Sequence, residues 1–125
     1  MSLDMRHNLV KIINRKSQLF YSDKNYIEIF SRILLNVCYA DLMDKNFNVA
    51  IEVIDIIEKH LNYTELYYEK NQCKFFKGLY LIGTQNKDEG EKLCKKSIEI
   101  FYFMNDISKA IEHQKVLKKF MEEIL

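Results

Sequence analysis

Apolar residues recur at three- and four-residue spacings over most of the chain, a pattern that predicts helices rather than strands. The pattern is clearest between Cys73 and Phe103, where two amphipathic stretches flank a short polar turn. Gly83 suits the C-terminus of the first helix, and Asn86, with Glu89 three residues later, suits the N-cap of the second. We therefore expect a tight antiparallel helical hairpin in this part of the chain.

The same periodicity extends to both sides of this hairpin and predicts an all-α chain of about six helices. The predicted helices are Asp4 to about Phe20, Tyr26 to Leu42, Asn48 to His60, Thr64 to Gly83, the stretch after Asn86, and Ile107 to Ile124. The β-branched residues of Val49–Ile57 would also fit a strand, but acidic residues at three-residue spacing favour the helix. Asn62 and Glu65 resemble a capping box, which we expect to open the fourth helix.

Composition indicates one domain with a substantial core. The chain has 125 residues, of which 48% are hydrophobic, and it contains no proline that would interrupt long helices. Its 19 basic and 18 acidic residues give a formal net charge of +1, which supplies no electrostatic footprint for nucleic acid or an anionic membrane. We therefore expect a single helical domain over residues 1–125, with no direct contact to nucleic acid or membrane.

The three cysteines favour a reducing compartment. Cys38, Cys73 and Cys94 are odd in number, widely spaced, and each lies within an apolar helical run. Such cysteines are typical of buried thiols that act as small hydrophobic residues, rather than of redox or metal sites. No apolar run is long enough to span a bilayer, and the first residues lack the apolar segment of a signal peptide. The sequence therefore predicts a soluble, cytoplasmic protein.

An internal repeat emerges when the second and third helices are laid over the fourth and fifth with a shift of forty positions. Cys38 then aligns with Gly78, and Ala50 aligns with Gly90. Small residues twelve positions apart are typical of tetratricopeptide repeats, where they let the two helices of a repeat approach closely. Ser97 occupies the third small position, but its counterpart is Ile57, and the hallmark Trp and Pro are absent. The pattern predicts a tetratricopeptide-like right-handed superhelix of antiparallel hairpins, with an irregular helical bundle as the alternative.

The segment FFKGLYLIGTQNKDEGEKLCKKSIEIF, followed by a final amphipathic helix, resembles the C-terminal end of Rgg/GadR/MutR-family transcriptional regulators of Gram-positive bacteria. The resemblance covers about Asn25 to Leu125 and is strongest over Phe75 to Phe101. It implies a regulatory domain for quorum sensing, which binds a short apolar signalling peptide and forms a homodimer through its C-terminal helices. The DNA-binding helix-turn-helix of the family has no counterpart here, so we expect either a regulatory fragment or a shortened relative that does not bind operator DNA by itself.

A peptide-binding surface is expected on the first helix of each hairpin, because these helices line the concave side of such stacks. Asn36 and Gln72 would bond the amide groups of an extended peptide, and Arg32 would pair with its terminal carboxylate. The complete set of candidates is Arg32, Leu35, Asn36, Tyr39, Leu42, Met43, Gln72, Phe75 and Leu79. The alternative interpretation is that this apolar stripe is ordinary core.

The last helix carries the residues that we expect at a dimer interface, namely Ile107, Ile111, Gln114, Leu117, Phe120, Met121 and Ile124. A stack of two repeats leaves its end faces uncovered, so self-association is expected whether or not a peptide binds. The second functional hypothesis is accordingly a helical-repeat module for protein–protein interaction or self-association that has no ligand.

Other kinds of chemistry find little support in the sequence. His7, His60 and His113 lack the neighbours of a metal site, and no glycine-rich phosphate loop or serine-nucleophile motif is present. We therefore expect no enzyme activity, no metal and no cofactor. The lysines that follow Glu91 would form a basic patch, but nearby glutamates offset them, and a solvated face is the better interpretation.

Overall fold

The computed structural model describes residues 1–17, 19, 23–84 and 86–124. It contains six helices over these residues and no strand. They are α1 (Leu3–Ser17), α2 (Lys24–Met43), α3 (Phe47–Leu61), α4 (Tyr67–Gly83), α5 (Lys87–Phe103) and α6 (Ile107–Ile124). The predicted all-α class is confirmed, and Val49–Ile57 is helical rather than extended. The tetratricopeptide-like superhelix stays a prediction.

The chain divides into two compact units, Met1–Lys70 and Asn71–Leu125. In unit 1, α2 packs against both α1 and α3. Its core consists of aliphatic side chains together with two small residues of the predicted repeat, namely Val10, Ile13, Leu34, Cys38, Ala50, Ile54 and Ile57. The β-branched residues of α3 therefore pack inward from a helix, because burial of one face outweighs their modest preference for strands.

Polar contacts attach α1 to the other helices of unit 1. The Arg6 guanidinium donates from Nε to Asp41 Oδ1 at 2.9 Å and from Nη2 to Asp44 Oδ2 at 2.8 Å. At the other end of α1, Ser17 Oγ lies 2.5 Å from His60 Nε2. Arg6, Asp41, Ser17 and His60 are all buried, so these contacts join α1 to both α2 and α3 in the interior.

The turns after α2 and α5 have the same backbone geometry. Lys45 and Asn105 both adopt φ 62°, the left-handed region that a residue with a side chain seldom occupies. The next residue closes each turn by donating to the carbonyl five positions earlier, from Asn46 to Asp41 O and from Asp106 to Phe101 O, both at 2.9 Å. The last helix therefore begins at Ile107, as predicted from the sequence.

In unit 2, α4 and α5 cross at a pair of glycines. Gly78 and Gly90 are both buried, and a Cβ on Gly78 would lie 2.8 Å from Gly90 O. Ser97 Oγ donates to Asn71 O at 3.0 Å, and Asn71 Nδ2 donates to Ser97 O at 2.9 Å. The two helices of the predicted hairpin thus meet through small residues, as the sequence analysis expected.

Two sequence-based boundaries need comment. The capping box predicted at Asn62 and Glu65 is wrong, because Asn62 is the C-cap of α3 and α4 begins only at Tyr67. Thr64 instead organises the turn, with its hydroxyl donating to Leu61 O at 2.9 Å. The first helix ends at Ser17, and Phe20, where it was predicted to end, lies outside the described residues.

Candidate functional site

The outer surface of α2 carries the polar residues of the predicted peptide site. Arg32 has a side chain that is 62% exposed, and two carboxylates flank its guanidinium. Its Nη2 donates to Glu28 Oε1 at 2.5 Å, one turn earlier on α2, and its Nε lies 3.4 Å from Glu69 Oε1 in the first turn of α4. Because Glu69 is buried, Arg32 neutralises a carboxylate that has little access to water.

A stripe of accessible residues continues from Arg32 along α2. Asn36 is exposed, and Tyr39 and Met43 are half-buried. Spacings of four, three and four residues place these side chains on one side of the helix. We call Arg32, Asn36, Tyr39 and Met43 the α2 stripe; it combines a cation, an amide, an aromatic ring and a flexible apolar chain.

The other predicted peptide-site residues occupy different environments. Leu35 and Leu42 lie in the core of unit 1. In unit 2, Gln72 is half-buried, whereas Phe75 and Leu79 have no exposed surface. Leu35, Leu42, Phe75 and Leu79 are therefore all buried, and the accessible candidates in unit 1 are those of the α2 stripe.

The predicted dimer residues also divide between surface and core. Ile107 and Ile111 are 52% and 41% exposed, and Gln114 is exposed as well. Leu117 and Phe120 are buried, whereas Met121 and Ile124 are half-buried. The exposed apolar residues of α6 therefore lie in its first half.

A groove of about 550 Å³ runs between α5 and α6 in unit 2. Its floor is apolar, and its rim carries both acidic and basic residues. Its lining residues are Glu91, Lys95, Ile98, Glu99, Tyr102, Gln114, Leu117, Lys118, Met121 and Glu122. At one end, Tyr102 Oη donates to Gln114 Oε1 at 3.2 Å, and on the rim, Glu91 Oε1 and Lys95 Nζ lie 3.2 Å apart.

A second apolar surface, at the C-terminal end of α5, was not predicted from the sequence. Phe103, the last residue of α5, is 91% exposed, and its neighbours Tyr102 and Met104 are also exposed. The available signal was the apolar run that continues through Phe103 and Met104 to the turn at Asn105. Consecutive apolar residues at the end of a helix cannot all face the core, so some of them were to be expected at the surface.

The sequence of residues 1–115 matches the family model for the C-terminal domain of the HTH-type transcriptional regulator Rgg. The matched region includes α1 to α5 and the first half of α6. The chain belongs to the Rgg C-terminal domain family. The resemblance deduced from the sequence is thereby confirmed, and the matched region extends further towards the N-terminus than the Asn25 boundary expected for it. No curated protein and no solved structure matches the chain.

Membership of the Rgg family supports a regulatory role in transcription for this chain. The described helices include none that is long and apolar enough to cross a bilayer. In the described part of this Rgg domain, no three His, Cys, Asp or Glu side chains are grouped as metal ligands would be.

The interior of unit 2 contains a histidine that the sequence analysis considered only as a metal ligand. The His113 ring lies between Phe75 and Phe101, with a centroid separation of 4.6 Å from each aromatic ring. Its Nδ1 lies 2.7 Å from Lys109 O. Burial lowers the pKa of His113, because the charged imidazolium would lose its hydration among these rings. This Rgg domain therefore contains a titratable ring in the core of unit 2.

Proposed function

We propose that this chain is the peptide-sensing and dimerisation domain of an Rgg-type regulator of Gram-positive bacteria. The domain would act in the cytoplasm in quorum sensing, where it would bind a short apolar peptide and couple it to transcription without contacting DNA through this segment. The observation that carries the proposal is the α2 stripe, in which Arg32 and Asn36 are exposed and Tyr39 and Met43 are half-buried, on the domain of a transcriptional regulator.

The chemistry of the α2 stripe suits an extended peptide. The side-chain amide of Asn36 both donates and accepts, so it would bond a backbone N–H and a backbone C=O of the ligand. Tyr39 and Met43 supply apolar area, and Met adapts its shape to different side chains. Arg32 uses Nε and Nη2 towards Glu69 and Glu28, which leaves Nη1 for a ligand carboxylate or carbonyl.

Thermal unfolding in the presence of short apolar peptides tests this proposal. A peptide that binds only the folded state stabilises it by about 2.7 kcal/mol at one hundred times its dissociation constant, which raises the midpoint by several degrees. We expect Arg32→Ala and Asn36→Ala to abolish the shift. The matched control is Asn48→Ala, which replaces an exposed asparagine of α3 that does not belong to the stripe and should retain the shift. The absence of a shift with every peptide would reject peptide sensing.

A helical interaction module without a ligand is the second candidate. It is favoured by the apolar residues that remain exposed around the α5–α6 turn, namely Tyr102, Phe103, Met104, Ile107 and Ile111. Large exposed apolar patches commonly mark protein–protein contacts. The interaction module predicts a midpoint of thermal unfolding that rises with protein concentration and does not change when peptides are added. The peptide-sensing domain predicts a midpoint that rises with protein concentration and also with added peptide.

A further inference from the structure

The groove between α5 and α6 is bordered by a row of polar side chains on each helix. The α5 row is Glu91, Lys95 and Glu99, and the α6 row is Gln114, Lys118 and Glu122. Within each row the residues are four positions apart, so their side chains share one face of the helix at intervals of about 6 Å along its axis. The groove therefore has two rims with the same spacing of polar groups.

The direction of the two rims follows from the connection between the helices. Three residues separate the end of α5 from the start of α6, and a connection this short joins antiparallel neighbours. The contact of 3.2 Å between Tyr102 Oη and Gln114 Oε1 lies at the turn end of the groove. The α6 row therefore begins beside Glu99, where the α5 row ends.

This register places charges of the same sign opposite each other. Lys95 and Lys118 occupy the middle of the two rims, and Glu91 and Glu122 occupy the end away from the turn. The charge along the groove is therefore acidic, then basic, then acidic again at Glu99. Because like charges face one another, the two rims cannot neutralise each other across the groove.

The ion pairs of the groove agree with this conclusion. Lys95 Nζ lies 3.2 Å from Glu91 Oε1, but this pair lies along α5 rather than across the groove. Among the described residues, Glu99, Lys118 and Glu122 form no ion pair. Three charges around an apolar floor thus remain for a further element that lies between the rims.

The floor can receive an apolar stripe. Ile98 and Leu117 are buried in it, whereas Tyr102 is exposed and Met121 is half-buried. The groove volume of about 550 Å³ lies within the range of binding sites in proteins. An amphipathic helix that lays its apolar face into a groove is a common mode of protein recognition.

We propose that the α5/α6 groove binds an amphipathic helix of a partner protein. The apolar stripe of this helix is flanked by basic, acidic and basic residues at spacings of four, which oppose the rim charges at each level. A helix repeats its side chains at the same interval of about 6 Å, so it meets all three levels at once. This binding does not involve the α2 stripe and does not require a signalling peptide.

Two fluorescently labelled helical peptides test the proposal by anisotropy with the full chain. Both carry a leucine stripe; one is flanked by Lys, Glu and Lys at spacings of four, and the other by Glu, Lys and Glu, with compensating charges on the outer face. We expect the first peptide to bind roughly tenfold more tightly, because several exposed charge pairs each contribute modestly. Equal affinities, or no binding of either peptide, would overturn the proposal.

A charge exchange on α6 shows whether the groove is the site. The double variant Lys118→Glu/Glu122→Lys reverses the α6 rim and should remove most of the tenfold preference. The matched control, Lys119→Glu/Glu123→Lys, makes the same exchange at exposed positions one residue further along, which do not line the groove. It should retain the preference. The same result in both double variants would contradict the proposed site.

Sedimentation distinguishes a partner protein from a second copy of this chain in the groove. If a second copy occupies it, the wild type forms an oligomer that Lys118→Glu/Glu122→Lys dissociates and Lys119→Glu/Glu123→Lys does not. That result would overturn the proposal of a partner helix. We expect instead that both double variants and the wild type have the same oligomeric state.

Discussion

A Cβ atom on Gly90 of α5 would lie only 2.5 Å from the carbonyl oxygen of Gly78 on α4. The two helices cross here so closely that neither position leaves room for a side chain. The backbone of α4 at Gly78 therefore packs directly against the backbone of α5 at Gly90. Forty positions earlier, Cys38 and Ala50 are both fully buried where α2 packs against α3. The predicted small positions thus lie in the interior of both hairpins.

Gly90→Ala should destabilise the protein, although helix propensity alone predicts a gain of about 1 kcal/mol. The new methyl group would lie 2.5 Å from Gly78 O and 2.7 Å from the Ile82 backbone nitrogen. Backbone atoms cannot relieve such a clash by a change of rotamer, so the helices themselves would have to move apart. We expect a loss of about 1–3 kcal/mol in the free energy of unfolding, measured by urea denaturation. A stabilised variant would show that the helices separate without cost.

Gly78→Ala provides a graded comparison at the same crossing. The nearest atom to its new methyl group is Cys94 Sγ, 2.5 Å away, which belongs to a side chain, and Gly90 O follows at 2.8 Å. Adding Cys94→Ala should therefore recover part of the stability lost in Gly78→Ala. The same second substitution should give no such recovery in Gly90→Ala, because the sulfur is not among the three nearest neighbours of that position.

Periodicity predicted the helices well because each one buries a single continuous stripe. It did not separate the two sides of α2, where the candidate site combined core and surface residues. Leu35 and Leu42 share the buried side with Cys38 at spacings of three and four residues, whereas Arg32 and Asn36 face solvent. Neighbouring residues on a helix are about 100° apart, so a small error in the assumed rotation exchanges the two sets.

Arg6→Ala should be among the most damaging substitutions in unit 1. It would leave the Asp41 carboxylate fully buried without its cation, and Asp41 Oδ2 already has no hydrogen-bond partner among the described residues. Loss of one member of a buried ion pair costs about 3–5 kcal/mol. The control is Asp44→Asn, because the Asp44 side chain is exposed, and removal of its charge should cost less than about 1 kcal/mol by the same urea measurement.

The pH dependence of this penalty provides an independent check. Burial raises the pKa of Asp41, and Arg6 opposes that rise. A carboxyl group whose folded pKa exceeds its unfolded value binds a proton more readily in the folded state, so its contribution to stability falls as the pH rises above about 4. The difference between wild type and Arg6→Ala should therefore shrink on acidification. A difference independent of pH would point to lost packing rather than lost charge.

The sequence could not reveal the Arg6–Asp41 pair, because the two residues are 35 positions apart and charged side chains are ordinarily expected at the surface. Each residue fits a solvated helix face when considered alone. Only the packing of α1 on α2 brings them together, and that arrangement is a tertiary property. The exposed Phe103 was missed for the opposite reason, since apolar residues are ordinarily expected inside.

The three native thiols should resist modification in the folded protein. Cys38, Cys73 and Cys94 are buried and form no disulfide bond, and burial raises the pKa of Cys94 to about 12. A thiol of that pKa is ionised to only about one part in ten thousand at pH 8, and the thiolate is the reactive form. A disulfide reagent should label none of them rapidly until urea unfolds the chain. The exposed thiol of Gln114→Cys is the positive control.

Acidification should destabilise unit 2 through His113. Burial lowers the pKa of His113 in the folded state, whereas an unfolded chain restores its ordinary value near 6.5. Between these two pKa values the unfolded state binds a proton that the folded state does not, so the free energy of unfolding rises with pH. The stabilising contribution is complete above about pH 6.5 and is lost as the pH falls through the folded pKa.

His113→Phe should flatten this part of the stability profile, because it keeps an aromatic ring between Phe75 and Phe101 and removes the titrating group. It also removes the contact from Nδ1 to Lys109 O, so an overall loss of stability alone would prove nothing. The comparison is Phe120→Leu, which weakens the same unit but leaves His113 in place. The free energy of unfolding of both variants would be measured by urea denaturation between about pH 7 and pH 5. If it changes with pH equally in His113→Phe and Phe120→Leu, His113 is not the source of the pH dependence.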